Sequence, residues 1–238
     1  GACFGASSGF ERPMWFSRNG EKAEYEYSYN YQNWFPAAEY ETKNTRENVG
    51  LFELTPFSKY ELKGETAHDE LQKICTANIK NEIGKCTYTQ MLNKDGGIET
   101  DLTVVKIAEN NFRIITAAAN KERDKFHIQK HLSENIKLLD VTDDYCVLGV
   151  FGPKSIDLMK DLSDDDYSNE NFKFGTAKYV TVNQEQIWAQ RLSYVGELGF
   201  ELYIKNNKAI EIYNLIIEKG KKYQLSHCGM HAMDIMRM

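Results

Sequence analysis

Residues 88–102 read Tyr88-Thr89-Gln90-Met91-Leu92-Asn93-Lys94-Asp95-Gly96-Gly97-Ile98-Glu99-Thr100-Asp101-Leu102, and this stretch decides the fold class. Two runs in which apolar and polar side chains alternate flank a segment of Asn, Lys, Asp and two Gly. Alternation at period two marks a half-buried strand, and Gly beside Asn or Asp supplies the backbone conformations of a hairpin turn. The expectation is a strand over 86–92, a turn, a strand over 98–107 and a third antiparallel strand over 112–117.

Working outward, the pattern predicts a strand over 57–62, ended by Gly64, and a helix over 67–74 with Thr66 as N-cap and Asp69 and Glu70 in its first turn. A short helix is expected over 40–49. Downstream come a helix over 121–132, with Ile128 and Leu132 on one face, and a strand over 141–149. A helix over 153–162 is opened by Gly152-Pro153, and an acidic loop follows over 163–171. Strands are expected over 177–182, 186–191 and 200–204, then a helix over 208–223 and another from Gly229. Antiparallel strands interrupted by helices, without strict strand–helix alternation, give an α+β class: antiparallel sheets with packed helices. The first forty residues are dense in aromatics (Phe10, Trp15, Phe16, Tyr25, Tyr27, Tyr29, Tyr31, Trp34, Phe35) without a clean period, and read as an extended arm over a folded body.

Composition excludes several classes. The chain has 238 residues, 42% hydrophobic and 27% charged, which fits one large or two small domains and excludes disorder and fibrous repeats. Its 29 basic and 35 acidic residues give a net charge of −6, opposite to the footprint of a nucleic-acid binder. No apolar run approaches the roughly 18 residues of a membrane span. No charged-then-apolar leader follows Gly1, and the helical pattern over 230–238 is expected to continue beyond Met238. Five scattered cysteines without a CxxC pair suggest reduced thiols, as in a bacterial cytoplasm or mitochondrial matrix.

Candidate chemistry is sparse. His127 with His131, and His227 with His231, have the spacing of a helical chelate but lack a third ligand, so both read as solvated helix histidines. No GxSxG elbow and no GxGxxG after a strand occurs. Asp101 follows the Gly-Gly turn by four residues, and Glu197 sits in Arg191-Leu192-Ser193-Tyr194-Val195-Gly196-Glu197-Leu198-Gly199-Phe200-Glu201. By spacing alone, each acid reads as an ordinary strand-edge or turn carboxylate.

Together, residues 88–102, 191–203 and 229–237 resemble the three signature stretches of folate-dependent aminomethyltransferases, the family of the glycine cleavage T-protein. Val49-Gly50-Leu51-Phe52-Glu53-Leu54-Thr55-Pro56-Phe57 resembles its opening motif, and Phe151-Gly152-Pro153 its mid-chain helix start. Phe4-Gly5, residues 9–16 and Gln32-Asn33-Trp34-Phe35 resemble the stretch joining the flavin and folate parts of dimethylglycine and sarcosine dehydrogenases. The resemblance implies a connecting arm over 1–45 and a folate-binding domain over 46–238, without that family's carboxy-terminal barrel. It also implies FAD only in a flavin domain upstream.

The implied cofactor is tetrahydrofolate, and the implied activity is one-carbon transfer from an oxidised N-methyl amine. Asp101 matches the family's acid beside the reacting folate nitrogens, and Glu197 the acid pairing with the pterin edge. Tyr88, Tyr194, Met91 and Leu92 match pocket-lining positions, and Arg237 an arginine near the benzoyl-glutamate side. One position departs: where many members carry a pterin-contacting asparagine, the register gives Thr116 or Ala117. A T-protein, a sulfonium demethylase-like methyltransferase and a noncatalytic folate-binding domain are the alternatives. No membrane or nucleic-acid partner is implied.

Overall fold

The computed structural model describes residues 1–238. In chain order the elements begin with strands β1 (Ala2–Ser7) and β2 (Phe10–Phe16), helix α1 (Phe35–Glu47), β3 (Val49–Glu53), β4 (Ser58–Lys63) and α2 (Ala67–Ile74). Then follow β5 (Cys86–Leu92), β6 (Ile98–Ala108), β7 (Asn111–Thr116), α3 (Lys121–Lys130), β8 (Lys137–Asp140), β9 (Tyr145–Phe151) and α4 (Ser155–Leu162). The chain continues with β10 (Ala177–Val182), β11 (Glu185–Gln190), β12 (Gly199–Lys205), α5 (Ala209–Gly220), β13 (Leu225–Cys228) and α6 (Met230–Arg237). The α+β class with antiparallel sheets is as the sequence predicts. The chain forms two compact units, one of residues 1–54, 146–174 and 179–238, the other of residues 55–145 and 175–178.

The first unit carries a six-stranded sheet in the order β10-β11-β12-β9-β3-β13. β3 pairs antiparallel with β9 and parallel with β13. One face of the sheet packs Val49, Leu51, Leu148, Val150, Phe200, Leu202 and Ile204 against Leu158 and Met159 of α4 and Ile212 and Ile216 of α5. Side chains alternate along each strand, so Glu201 and Tyr203 of β12 lie on the opposite face. The amino-terminal arm is more ordered than expected. β1 and β2 form an antiparallel hairpin whose Cys3 and Trp15 bury against Ala37, with Tyr25 and Trp34 packed alongside. The arm falls within the first unit.

The second unit is a five-stranded sheet in the order β5-β6-β7-β4-β8. Tyr60, Leu62, Leu102, Val104, Phe112 and Ile114 bury one face against Leu71 and Ile74 of α2 and Ile128 of α3. Each such side chain contributes about 1.5–3 kcal/mol through removal from water.

Element bounds depart from the sequence reading where packing overrides local pattern. α1 begins five residues early because Pro36 fits its first turn. Thr66 does occupy the N-cap of α2, but its hydroxyl donates to Glu70 Oε1 (3.0 Å) instead of accepting a backbone N–H. The strand expected over 141–149 begins at Tyr145, after a 3₁₀ turn at Thr142–Asp144. No helix is long and apolar enough to cross a membrane.

Candidate functional site

The β5–β6 hairpin places Asp101. Asn93 organises its turn: Oδ1 accepts the backbone N–H of Asp95 (3.0 Å) and Gly97 (2.9 Å), while Gly96 takes φ +81°. Gln90 then pairs with Asp101, and Tyr88 with Thr103. Tyr88, Gln90, Asp101 and Thr103 therefore share the sheet face opposite the apolar core. Asp101 and Tyr88 are exposed, and the tyrosyl hydroxyl donates to Asp101 Oδ2 at 2.7 Å.

The same parity separates two of the expected pocket residues from Asp101. Met91 pairs with Thr100, and Thr116 pairs with both Leu102 and Ser58. Both side chains lie on the core face, Met91 fully buried and Thr116 nearly so. Thr116 sits beside Asp124 of α3, whose carboxylate also accepts the Thr100 hydroxyl at 3.1 Å. Burial pushes Asp124 above the usual carboxylate range, and the Thr100 hydroxyl opposes that rise. The Thr116 hydroxyl is buried without a hydrogen-bond partner. Leu92 is half-buried at the point where the β5–β6 register slips.

In the first unit, the turn between β11 and β12 gathers Tyr194, Glu197 and Arg237. Ser193 Oγ accepts the N–H groups of Val195 (3.3 Å) and Glu197 (3.0 Å), and Gly196 adopts φ +72°. Glu197 Oε1 meets Arg46 Nη1, from the last turn of α1, at 2.6 Å. The Arg237 guanidinium, from the last turn of α6, lies over the Tyr194 ring with 4.8 Å to the centroid. A cation above an aromatic face is attracted by the ring quadrupole.

The sequence reading missed a second set on this unit. Gln190 pairs with Glu201, and Trp188 with Tyr203, on the sheet face away from the core. Gln190, Trp188 and Tyr203 are buried, and the Trp188 indole N–H has no hydrogen-bond partner. Tyr203 donates to Glu201 Oε2 at 3.1 Å, yet burial dominates and lifts Glu201 to about 7. A carboxyl group that changes charge near neutrality, beside an amide and an indole donor, can recognise a polar heterocycle edge. The signal was present in the sequence as an acid in the otherwise apolar strand Phe200-Glu201-Leu202-Tyr203-Ile204.

The histidines make other contacts. His131 Nδ1 bonds the His127 carbonyl at 2.8 Å. His227 and His231 are not the solvated helical pair expected, because β13 ends at Cys228 and α6 begins at Met230. His227 Nε2 meets the Tyr213 hydroxyl at 2.6 Å, and His231 Nε2 the Tyr25 hydroxyl at 2.7 Å. His231 also stacks on Trp34, with ring centroids 3.9 Å apart. Burial holds both histidines below the usual imidazole range. No group of three or more His, Cys, Asp or Glu side chains converges as a metal cluster would.

The chain is 34% identical over its whole length to a 4-methylaminobutanoate oxidase (formaldehyde-forming) of Paenarthrobacter nicotinovorans, of which it covers 29%. It is 30% identical, over 98% of its length, to a mitochondrial dimethylglycine dehydrogenase of Rattus norvegicus, of which it covers 28%. It therefore spans under a third of each of these relatives. Among solved structures, it matches the glycine cleavage system aminomethyltransferase T of Bartonella henselae with a TM-score of 0.80 at 22% identity, covering 100% of this chain and 58% of that one. That likeness establishes the fold. The GCVT N-terminal domain matches residues 1–238, and the chain belongs to that family.

Proposed function

We propose that the chain binds tetrahydrofolate and transfers a one-carbon unit to it, capturing the methylene released by oxidation of an N-methyl amine such as dimethylglycine or sarcosine. The observation that carries this reading is Asp101, held on an exposed sheet face by the Tyr88 hydroxyl at 2.7 Å. Family membership and relatives named for N-methyl amine oxidation support it. In this reading, a flavin domain with FAD outside residues 1–238 supplies the oxidised methyl group.

The residues suit a pterin-like ligand. Glu197 keeps Oε2 for a ligand N–H beyond its Arg46 contact, Glu201 is a further carboxyl acceptor, and Trp188 offers an unpartnered buried N–H. Tyr194 offers a flat ring for stacking, and Arg237 a guanidinium suited to a carboxylate tail. When bound, tetrahydrofolate supplies the nucleophilic amine that takes up the one-carbon unit. Asp101 stabilises the positive charge that develops beside it and accepts the proton released, while the Tyr88 hydroxyl fixes the acid's orientation.

Thermal unfolding with and without 5-formyltetrahydrofolate tests binding. Ligand at 100-fold its Kd stabilises the native state by about 2.7 kcal/mol, roughly 5–10 °C in midpoint for a chain of this size. No shift overturns the reading. A shift without methylene transfer, measured beside an N-methyl amine oxidase and its substrate, replaces it with a noncatalytic folate-binding module.

A further inference from the structure

We infer that Arg46 is a positioning residue for ligand recognition: it fixes the Glu197 carboxylate in its accepting orientation. This inference rests on the folate-binding reading above. It concerns how this chain arranges the first unit's recognition groups, with α1 as the mounting post.

The 193–198 turn is tied both locally and at long range. Ser193 caps two of its N–H groups, and Gly196 takes a left-handed backbone that leaves only the Arg46 guanidinium near its missing Cβ, at 3.9 Å. At long range, the Leu198 carbonyl accepts the Gly152 N–H at 2.7 Å and the Ser155 hydroxyl at 3.3 Å, while the Glu197 side chain is tied by Arg46 at 2.6 Å, across 151 residues of sequence. Only Oε1 of Glu197 is engaged by this contact, so Oε2 remains to face a ligand donor.

The helix that carries Arg46 is itself firmly seated. Asn44 Nδ2 donates to the carbonyl of Gln224 and to Ser226 Oγ, both at 2.8 Å. Glu41, buried one helical turn earlier, accepts the Phe16 N–H at 2.7 Å with one oxygen and the Gly229 N–H at 2.8 Å with the other. Gly229 is the N-cap of α6, the helix that ends in Arg237. One helix therefore governs both guanidinium contacts of the turn, Arg46 on Glu197 directly and Arg237 on Tyr194 through the start of α6. Groups mounted on a rigid element hold a binding geometry more closely than groups on a loop.

The ion pair is partly exposed, with Arg46 44% and Glu197 20% accessible, and exposed pairs add little to stability. Removing Arg46 should therefore alter binding more than folding. The test is isothermal titration of 5-formyltetrahydrofolate into the 238-residue chain and into Arg46→Ala, Arg46→Lys, Glu197→Gln and the double variant Arg46→Ala with Glu197→Gln. The expected result is about tenfold weaker binding for Arg46→Ala with the melting temperature nearly unchanged, partial recovery in Arg46→Lys, and a double variant no weaker than Glu197→Gln alone. Binding that is unchanged or tighter in Arg46→Ala would mean Arg46 is a bystander or a competitor for Glu197, and overturns this inference while leaving folate binding intact. Fully additive losses in the double variant overturn it too. Absence of heat from the unsubstituted chain overturns the folate reading, and this inference with it.

Discussion

The two units share a plan, a sheet with one face on an apolar core, but they treat their shifted acids differently. In the second unit, Glu61 is gripped by Arg113 (2.8 Å) and Lys63 (2.8 Å), Glu70 by Ser133, and Asp140 by Thr142 and Lys121. These partners outweigh burial and hold all three below the usual carboxylate range. Asp124 is that unit's exception. In the first unit, Glu41 and Glu201 are covered without a cation in contact, and burial lifts each to about 7. Depth and pairing act together: the two raised acids are the more deeply covered, and Glu41 stays raised although two backbone N–H groups bond it.

The signs of the pH response follow. A lowered folded-state value contributes stability that is present above the ordinary carboxylate value and is lost as pH falls through the lowered one. That is the behaviour of Glu61, Glu70 and Asp140. A raised value contributes stability that is complete below the ordinary value of 4.5 and is lost as pH rises through about 7, the behaviour of Glu41 and Glu201.

The harshest way to break the contrast is to strip a paired acid of its cation. Arg113 is buried, donates to Glu61, and also meets the Tyr145 hydroxyl at 3.1 Å. Arg113→Met should cost about 3 kcal/mol, because an ionised Glu61 is left buried with only Lys63 beside it. Denaturant unfolding at pH 7 measures the loss, and repeating it at pH 4 should show a smaller one. An equal loss at both pH values would show that guanidinium packing, not charge, matters at this position.

Next in size is Asp101→Asn, which keeps the shape of an exposed side chain and removes its charge. Methylene transfer should fall at least about 100-fold with the unfolding midpoint nearly unmoved. Retained transfer would remove Asp101 from the chemistry.

Glu201→Gln sharpens the other side of the contrast. A rise from 4.5 to about 7 corresponds to about 3 kcal/mol between protonation states, and partial accessibility trims this to about 2 kcal/mol. The amide variant should match the parent near pH 4.5 and exceed it in stability at pH 8. Parallel stability curves from pH 4.5 to 8 would show that Glu201 is ionised throughout.

What the sequence made legible divides along local and non-local lines. The β5–β6 hairpin was readable because Asn93, Gly96 and Gly97 carry their own turn chemistry. β3 was not, because Val49-Gly50-Leu51-Phe52 is covered on both faces between β9 and β13 and shows no alternation. The β1–β2 hairpin left a weak trace, Ser8 and Gly9 at φ 56° and 82°, masked by irregular aromatics. The sequence pattern picks out Asp101 and Glu197 as candidates but not their surroundings. Nothing local shows that Arg46 reaches Glu197, or that the neighbours of Glu201 shield it from water. The faces of Met91 and Thr116 were available in principle, since counting parity across the hairpin from Asp101 puts both on the core side.

The finest test probes the one hydrogen bond that distinguishes Asp101 from a plain surface acid. Tyr88→Phe removes the hydroxyl at 2.7 Å and keeps the ring, which is exposed, so stability should change by less than about 0.5 kcal/mol. A hydrogen bond to a charged acceptor contributes about 1–2 kcal/mol of orientation and charge stabilisation, and solvent replaces part of it at an exposed site. Transfer should fall about three- to tenfold, in kcat more than in KM, because the hydroxyl steers the acid and not the ligand. A matching rise in KM alone would place Tyr88 against the ligand directly. The Tyr88→Phe, Asp101→Asn double variant separates the cases further: if Tyr88 acts through Asp101, it is no slower than Asp101→Asn alone.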